Sequence, residues 1–313
     1  MDDPPPPPAS CDVLVVGAGP AGSACAQALA RAGHDVLLVD QNAFPRDKVC
    51  GDGLIPDTHA ALRLLGVYDE VAALALHVPH VRCVGPRGGY VDVPGTLSVL
   101  PRKQLDHVLV RAAQRAGARL LAPLRFEAPL LDGERVAGGR FRAGDARHEI
   151  AARWVVLATG AAPQPLDAAG LCERRTPSGI ALRGYVRNEA MRGRIAQLQI
   201  VWHPRLRGGY GWIFPAPGGR FNIGAGLTDS HVMQRNGKGR MQDLNLRHML
   251  DDFCAVYAPA RELMAGGELQ GDFKGAPLRC SLRGARWSRP GLLVAGEAAG
   301  STYAFSGEGI GKA

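Results

Sequence analysis

The sequence lacks the features that mark secreted, membrane-spanning and zinc-binding proteins. Its seven cysteines are odd in number and widely spaced, and no Cys-x-x-Cys pair occurs, which argues against a disulfide framework and a zinc site. No apolar run approaches the length of a membrane span. The N-terminus, MDDPPPPPAS, is acidic and proline-rich, unlike a signal peptide. We expect residues 1–10 to be a solvated polyproline tail and the protein to lie in a reducing cytosol.

Features of nucleic-acid-binding proteins are missing as well. The net charge of +8 comes from basic residues scattered along the chain, without a polybasic run or a recognition motif. A scattered excess is typical of a solvated surface, although it can also help to hold anionic phosphates or lipid headgroups. We therefore expect no nucleic-acid partner, and peripheral contact with a membrane stays open.

The sequence does contain a β-α-β pattern near the N-terminus. Residues 12–16 form a short apolar run typical of a buried strand, and a helix is expected from Pro20 to Ala32. A second strand over residues 36–39 ends at Asp40. The 313 residues exceed the usual size of a single hydrophobic core, so we expect a further domain beside this unit.

A glycine fingerprint joins the first strand to the helix. In GAGPAG, Gly17 permits a tight turn, Gly19 lets a pyrophosphate approach the backbone, and Gly22 lets the helix pack on the strand. Asp40 stands where a carboxylate accepts hydrogen bonds from ribose hydroxyls, and its charge disfavours the 2′-phosphate of NADP at this site. The alternative is a structural turn in an unrelated α/β domain.

A late segment favours FAD over NAD as the bound dinucleotide. Residues 292–295 form an apolar strand that is followed by GEAAG, residues 296–300. This pattern resembles the distal motif of flavoproteins related to glutathione reductase and aromatic hydroxylases, in which the acid is normally aspartate and binds FAD. Here the acid is Glu297, one methylene longer. A strand-to-helix turn with an incidental acid is the alternative.

Three further segments resemble the geranylgeranyl reductase family. Residues 44–56 (FPRDKVCGDGLIP) are similar to its proline–lysine–Cys-Gly-Asp-Gly-Leu-x-Pro signature. Residues 210–226 contain YGWIFP and then FNIGAG, similar to the family's Tyr-x-Trp-x-Phe-Pro hairpin. Residues 307–311 (GEGIG) are similar to the start of a helix that faces the flavin in the family.

The resemblance implies an FAD-dependent oxidoreductase that saturates C=C bonds of an isoprenoid, with NAD(P)H or another donor as reductant. It places Cys50 near the reactive face of the flavin; otherwise this thiol is a small buried hydrophobe or a redox-sensitive cysteine. Tyr210, Trp212 and Phe214 share one face of a strand, which suits a flavin ring, a prenyl chain or a plain core. The candidate catalytic residues are Cys50, Tyr210 and Trp212.

The predicted cofactor site draws on segments from the whole chain. In related flavoproteins an arginine at the position of Arg102 approaches FAD, although an ordinary surface arginine is the alternative. The predicted cofactor-binding residues are Gly17, Gly19, Pro20, Ala21, Gly22, Asp40, Gln41, Arg46, Lys48, Cys50, Gly51, Asp52, Gly53, Arg102, Ala158, Gly160, Gly296, Glu297, Gly307, Gly309 and Ile310.

The predicted fold is α/β, with a discontinuous, glutathione-reductase-like Rossmann FAD-binding domain and a mainly antiparallel substrate domain. We assign residues 11–75, 100–175 and 285–313 to the first, and residues 76–99 and 176–284 to the second. The second domain is expected to contain a hairpin over 76–99, strands between 180 and 227, and one helix near 241–257.

Two departures from these families qualify the expected function. Thr159 stands where many related flavoproteins have the aspartate of an Asp-Gly motif, and the chain ends one turn into the expected distal helix, as a fragment would. The alternatives are an aromatic-hydroxylase-like monooxygenase and a flavin-binding fragment without activity. A halogenase is a weaker one, because WIFP only partly resembles its Trp-x-Trp-x-Ile-Pro motif.

Overall fold

The structure is a computed structural model that describes residues 7–172, 176–228, 244–282 and 284–313. In these ranges the α-helices are α1 (Pro20–Arg31), α2 (Pro56–Leu64), α3 (Tyr68–Leu74), α4 (Arg102–Arg115), α5 (Gln164–Ala168), α6 (Leu246–Val256) and α7 (Ala258–Ala265). None of these helices is long and apolar enough to cross a membrane.

The described strands form two sheets. They are β1 (Ser10–Val16), β2 (Val36–Val39), β3 (Gly53–Leu54), β4 (Leu76–Val84), β5 (Tyr90–Val99), β6 (Arg119–Leu121), β7 (Arg125–Asp132), β8 (Arg135–Ala143), β9 (Ala146–Leu157), β10 (Gly179–Arg187), β11 (Leu198–Trp202), β12 (Tyr210–Ala216), β13 (Arg220–Thr228), β14 (Glu268–Leu269), β15 (Lys274–Leu278), β16 (Ser288–Arg289) and β17 (Leu292–Val294).

The first sheet has a parallel centre in the order β17-β9-β1-β2-β6. Alternate residues of β1 face opposite sides: Val13 and Val15 pack in the core that contains Ala26 of α1, and Leu14 packs in the core that contains Phe141 of β8. Burial on both faces explains why this strand is a continuous apolar run. The α/β class and the β-α-β start are therefore confirmed.

The second sheet runs β14-β10-β13-β12-β11-β4-β5-β3, with β15 also paired to β10. All of its pairs are antiparallel except β11 with β4. Helices α6 and α7 cover one face, where Phe253 and Leu263 pack in the same core as Ile213 and Ile223. The mainly antiparallel second lobe and the hairpin of β4 and β5 are as predicted.

Four local expectations differ from the structure. The helix expected near 241–257 is α6, which ends at Val256 because Tyr257 is extended, and a further helix, α7, with Pro259 in its first turn, was not predicted; residues 241–243 lie outside the described part. β7 and β8 were not predicted, and they pair with the first half of β9. The expected N-terminal tail ends earlier, because β1 begins at Ser10, and residues 1–6 of that tail are outside the described ranges.

The expected helix start at residues 307–311 is also wrong. These residues form irregular backbone and a turn, and the backbone N–H of Ala313 donates to Ile310 O over 3.3 Å. A helix gains little from so few hydrogen bonds, since its first turn is costly to nucleate.

Candidate functional site

A cavity of about 520 Å³ lies between the two sheets. One end is lined by the loop from β1 to α1, together with Asp40 and the N-terminus of α4. The other end is lined by side chains of the second sheet, among them Leu97, Leu198 and Trp212. The loop over residues 46–53 and the segment over residues 305–313 complete the walls.

The three fingerprint glycines have different surroundings. A Cβ atom on Gly17 would lie 2.3 Å from Ala158 O, and one on Gly22 would lie 1.7 Å from Gly17 O. A Cβ on Gly19 would meet only the guanidinium groups of Arg102 and Arg46, at 3.7 and 3.8 Å. Gly17 and Gly22 therefore permit the close packing of strand, helix and β9, and Gly19 faces the cavity.

Two arginines and two aspartates form a buried ionic network beside this loop. Arg46 donates from Nη2 to Asp40 Oδ2 over 3.3 Å and from Nη1 to Asp106 Oδ2 over 2.9 Å. Arg102 donates from Nε to Asp106 Oδ1 over 2.6 Å, and Asp106 is fully buried. Burial lowers the pKa of Arg102, but the charge and the hydrogen bonds of Asp106, together with nearby Cys50, outweigh burial and raise that pKa overall. Both guanidinium groups are thus held beside Gly19.

These residues fit the diphosphate of FAD. Arg46 Nε is buried and has no hydrogen-bond partner among the described atoms, so a donor is left for a ligand. The first turn of α1 also lines the cavity, and a helix N-terminus offers N–H groups and a positive dipole end to phosphate. Asp40 accepts from the backbone N–H groups of Ala18 and Asn42, each over 2.9 Å. Its predicted bonds to a ribose stay a prediction.

A tight turn carries Cys50 and Asp52 at the middle of the cavity. Asp52 has a positive φ of 66° and is fully buried. Its backbone N–H points at Cys50 Sγ over 3.4 Å, and Asn222 Nδ2 donates to Cys50 O over 2.8 Å. A Cβ on Gly51 or Gly53 would lie 3.2 or 3.3 Å from the ring of Phe214, so these glycines let the turn pack on the second sheet.

Burial dominates the acid–base behaviour of this turn. It raises the pKa of the Cys50 thiol, an effect that the charge of Arg102 opposes. Burial also raises the pKa of Asp52 to about 6, although hydrogen bonds from Tyr185 and Asn222 act in the opposite direction. At neutral pH the thiol therefore keeps its proton, and the carboxyl group titrates in the weakly acidic range.

Aromatic rings line the other end of the cavity. The ring centroids of Tyr210 and Trp212 are 6.0 Å apart, and those of Trp212 and Phe214 are 6.5 Å apart. Trp202 extends this aromatic wall, because it lies 6.0 Å from Tyr210 and stacks on Phe305 at 5.6 Å. The predicted sharing of one strand face by residues 210, 212 and 214 is confirmed.

The segment over residues 305–313 closes part of the cavity. Tyr210 donates its hydroxyl hydrogen to Ser306 O, and a Cβ on Gly307 would lie 2.9 Å from that hydroxyl oxygen. Burial raises the pKa of Glu308, and nearby Asp57 raises it further. The segment thus packs against the aromatic wall through its backbone.

The structure brings nearly all of the predicted site residues to one cavity. Only Gly22 and Gly296 among them do not line it; a Cβ on Gly296 would lie 2.5 Å from Ala21 Cβ, so its place is in the packing behind the glycine loop. Glu297 lines the cavity and accepts from the backbone N–H of Arg279 over 3.4 Å. Their individual roles toward a ligand stay predictions.

Sequence reasoning missed several residues of the site. Asp106 was not predicted, although the i,i+4 spacing of Arg102 and Asp106 on one helix is a signal for an ion pair. Tyr185 and Arg183 gave no local signal. Asn222 belongs to the FNIGAG motif, but its contact with the Cys50 turn was not predicted, because it depends on how β10 and β13 pair.

Comparison with known proteins identifies the class. The FAD binding domain family matches residues 10–191 of the chain. The chain is therefore a flavoprotein of the FAD binding domain class, in accord with the glycine loop and the basic groups beside it.

Relatives and solved structures narrow this class. The chain is 33% identical to a menaquinone reductase of Mycobacterium tuberculosis, over 96% of this chain and 73% of the relative. It is 31% identical to digeranylgeranylglycerophospholipid reductase 1 of Methanopyrus kandleri, over 96% and 77%. A geranylgeranyl bacteriochlorophyll reductase-like structure from Thermoplasma acidophilum superimposes with a TM-score of 0.80 at 23% identity, covering 97% of this chain and 75% of that one.

A flavin-dependent brominase shares the fold with a TM-score of 0.75 at 20% identity, over 93% of this chain and 72% of that one. That likeness concerns the fold alone. The chain belongs to the geranylgeranyl reductase family of FAD-dependent oxidoreductases, as its motifs predicted.

Proposed function

We propose that this protein reduces carbon–carbon double bonds in the isoprenoid chain of a lipid or a quinone. The observation that carries the proposal is the continuity of the cavity, which joins the basic glycine-loop end to a wall of aromatic and aliphatic side chains. The reductase names of the relatives from Mycobacterium tuberculosis and Methanopyrus kandleri support it.

The apolar end of the cavity would bind the isoprenoid and exclude water. Val81, Leu97, Leu198 and Ile200 line it beside Trp202. Burial of methyl and methylene groups against such a wall is favourable by about 25 cal/mol per Å² of apolar surface. A dry pocket also favours a positioned acid over bulk water as the proton source.

FAD, when bound, would supply the hydride of the reduction. An isolated alkene accepts hydride poorly, so a proton must be delivered almost at the same time. Cys50 is suited to hold that proton at Sγ, because burial keeps the thiol protonated and the turn faces the cavity. We propose Cys50 as proton donor, with Tyr210 and Trp212 orienting the substrate.

The reductant is proposed to be NADH or NADPH, or another electron donor that reaches the cavity. Peripheral contact with a lipid surface is also part of the proposal, because Tyr303 and Phe305 line the cavity and are 40% and 63% exposed. Cosedimentation with anionic and neutral vesicles tests this contact, and failure to bind either vesicle would contradict it.

The experiment that tests the function separates reduction from oxygenation. The FAD-loaded protein is reduced with NADH, NADPH or dithionite without oxygen, and menaquinone or a digeranylgeranylglycerophospholipid is added. We expect products that gain one H₂ for each bond reduced, detected by mass spectrometry. An oxygenated product after admission of air indicates an aromatic-hydroxylase-like activity, and bound FAD with no product in either arm indicates a flavin-binding protein.

A further inference from the structure

Asp52 lies in a glycine-rich turn, but its side chain bonds to residues that are distant in the sequence. We propose that the ionised carboxylate of Asp52 is a positioning group, which fixes the Cys50 turn between the two halves of the molecule and makes the reduction depend on its ionisation. The catalytic consequence rests on the proposed function, whereas the effect on the thiol of Cys50 does not.

The carboxylate joins three elements to the turn. Oδ1 accepts from the backbone N–H of Arg102, at the start of α4, over 3.2 Å. Oδ2 accepts from the hydroxyl of Tyr185 on β10 and from Nδ2 of Asn222 on β13, the latter over 2.8 Å. One side chain therefore connects the helix of the first domain with two strands of the second sheet.

The same network reaches two of the three residues proposed to act on the substrate, Cys50 and Trp212. Asn222 Nδ2 also donates to Cys50 O, and Asn222 Oδ1 accepts from Trp212 Nε1 over 2.9 Å. The backbone of Cys50 and the indole of Trp212 are thus held by a single amide, which Asp52 orients. Because the positive φ of Asp52 is unfavourable for a residue with a side chain, the turn needs such external support.

Protonation of Asp52 would break this arrangement. A carboxylate accepts from several donors at once, whereas the protonated oxygen of a carboxylic acid must itself donate. Tyr185 and Asn222 both donate to Oδ2, so a proton there removes at least one bond. The turn would then lose a contact to β10 or to β13.

The charged groups around Asp52 come from each element that packs on it. Arg183 and Tyr185 face it from β10, Arg102 from α4, and Cys50 from its own turn. The cations Arg183 and Arg102 are engaged elsewhere, by Asp47 over 2.7 Å and by Asp106 over 2.6 Å. Their pull on Asp52 is therefore partly offset, and its titration lies within reach of a pH experiment.

The first test measures the reactivity of Cys50 and needs no substrate. The Cys50-containing peptide is followed by mass spectrometry during iodoacetamide alkylation at a series of pH values, in wild type and in Asp52→Asn, with and without FAD. The negative charge of Asp52 raises the pKa of the thiol, so its removal should shift the alkylation profile to lower pH and make alkylation several-fold faster near neutrality. Identical profiles would overturn the proposal.

A second variant keeps the test decisive if Asp52→Asn folds poorly. Tyr185→Phe retains the ring and removes one donor to Oδ2, which raises the pKa of Asp52 further. Any inflection in the Cys50 profile due to Asp52 should then move to higher pH. An inflection that does not move would also overturn the assignment.

The second test measures reduction against pH. The wild-type rate should fall as the pH drops through about 6, with kcat affected more than KM, and Asp52→Asn should lose this limb and react about tenfold more slowly at neutral pH. If the wild type reduces no isoprenoid but the pH profile of Cys50 alkylation shifts as expected in Asp52→Asn, the proposed function fails and the role of Asp52 stands. If the wild type and Asp52→Asn both reduce the isoprenoid with identical pH profiles, the role of Asp52 is refuted and the proposed function stands.

Discussion

The two ends of the cavity are held by different forces. At the glycine-loop end, Arg46 and Arg102 are fixed by Asp40 and Asp106, and the backbone is packed so closely that Gly17 and Gly22 have no room for a side chain. At the aromatic end, rings lie about 6 Å apart, and the polar contacts converge on Asp52. The first end is specified by charge and backbone geometry, the second by shape.

This difference has a consequence for substitution. Removing one partner of a buried ion pair is costly, and a Cβ added at a packed glycine clashes with backbone that cannot move aside. The glycine-loop end should therefore tolerate few substitutions. Apolar contacts are numerous and individually weak, so the aromatic end should change its ligand preference before it loses its fold.

Gly22→Ala should have the largest effect. The new Cβ would lie 1.7 Å from Gly17 O, and neither α1 nor the loop can move without separating the helix from the strand. We expect a loss above about 3 kcal/mol, measured by urea denaturation, or no folded protein at all.

Gly19→Ala is the matched control for that variant. Its Cβ would meet only guanidinium atoms at 3.7 and 3.8 Å, so the fold should persist while FAD affinity, measured by fluorescence titration, falls. Equal losses of stability in the two variants would remove the distinction between a packing glycine and a cavity-facing glycine.

Asp106→Ala should have the next largest effect on stability. It leaves Arg46 and Arg102 without their shared anion in a buried site, a loss of about 3–5 kcal/mol. The control is Asp35→Ala, whose ion pair with Arg119 is half exposed and should be worth no more than about 1 kcal/mol. Comparable chevron or urea midpoints for the two variants would mean that the network does not hold the glycine-loop end.

The stability of the aromatic end should depend on pH through Asp52. The hydrogen bonds to Asp52 favour its charged form, but the cost of burying that charge is larger, so its pKa in the folded protein is about 6, above the usual 3.8. The stability that this raised pKa contributes is therefore fully present below pH 3.8 and is lost as the pH rises through 6. The loss amounts to about 3 kcal/mol at neutral pH, from 1.36 kcal/mol per pKa unit.

The measurement is the free energy of unfolding of wild type and Asp52→Asn across this range. The variant should gain stability relative to the wild type as the pH rises, although its reductase activity at neutral pH stays below that of the wild type. A difference that stays constant with pH would show that Asp52 does not titrate in this window.

Cys50→Ala should change the stability of the fold least, and its main effect should be on the rate of the reaction. We expect alkene reduction to fall about 10²-fold with little change in FAD affinity, since general acids contribute at this scale. Cys83→Ala is the control, because Cys83 lines the same cavity, is also half-buried and lies outside the turn. Similar losses in both variants, or a loss of FAD from Cys50→Ala, would favour a packing role.

Much of this architecture could be predicted from local patterns. The apolar runs of β1, β2 and the end of β9, the glycine loop and the period-two aromatic residues of β12 each carry their signal within a few residues. β7 and β8 could not be recognised in the same way, because Gly138 and Gly139 interrupt the alternation and the register shifts along the pair.

The site was predictable where its residues are neighbours in sequence. Gly17, Gly19 and Asp40 belong to a single β-α-β unit, so their convergence follows from its geometry. Tyr185 and Asn222 lie far along the chain from Asp52, and their contacts with it depend on the register of β10 with β13. Pairing of distant strands is a global property, which no window of residues contains.

The position of β17 determines the order in which the two sheets can be completed during synthesis. This strand lies beside β9 in the parallel sheet, yet it follows every strand of the second sheet along the chain. While the ribosome is still extending the polypeptide, residues 155–157 present an open strand edge, and the second sheet can already form from the residues that precede Leu292. The nucleotide-binding half, although it begins first, is therefore completed last, and a nascent chain that stalls before β17 would expose that edge to chaperones or to aggregation.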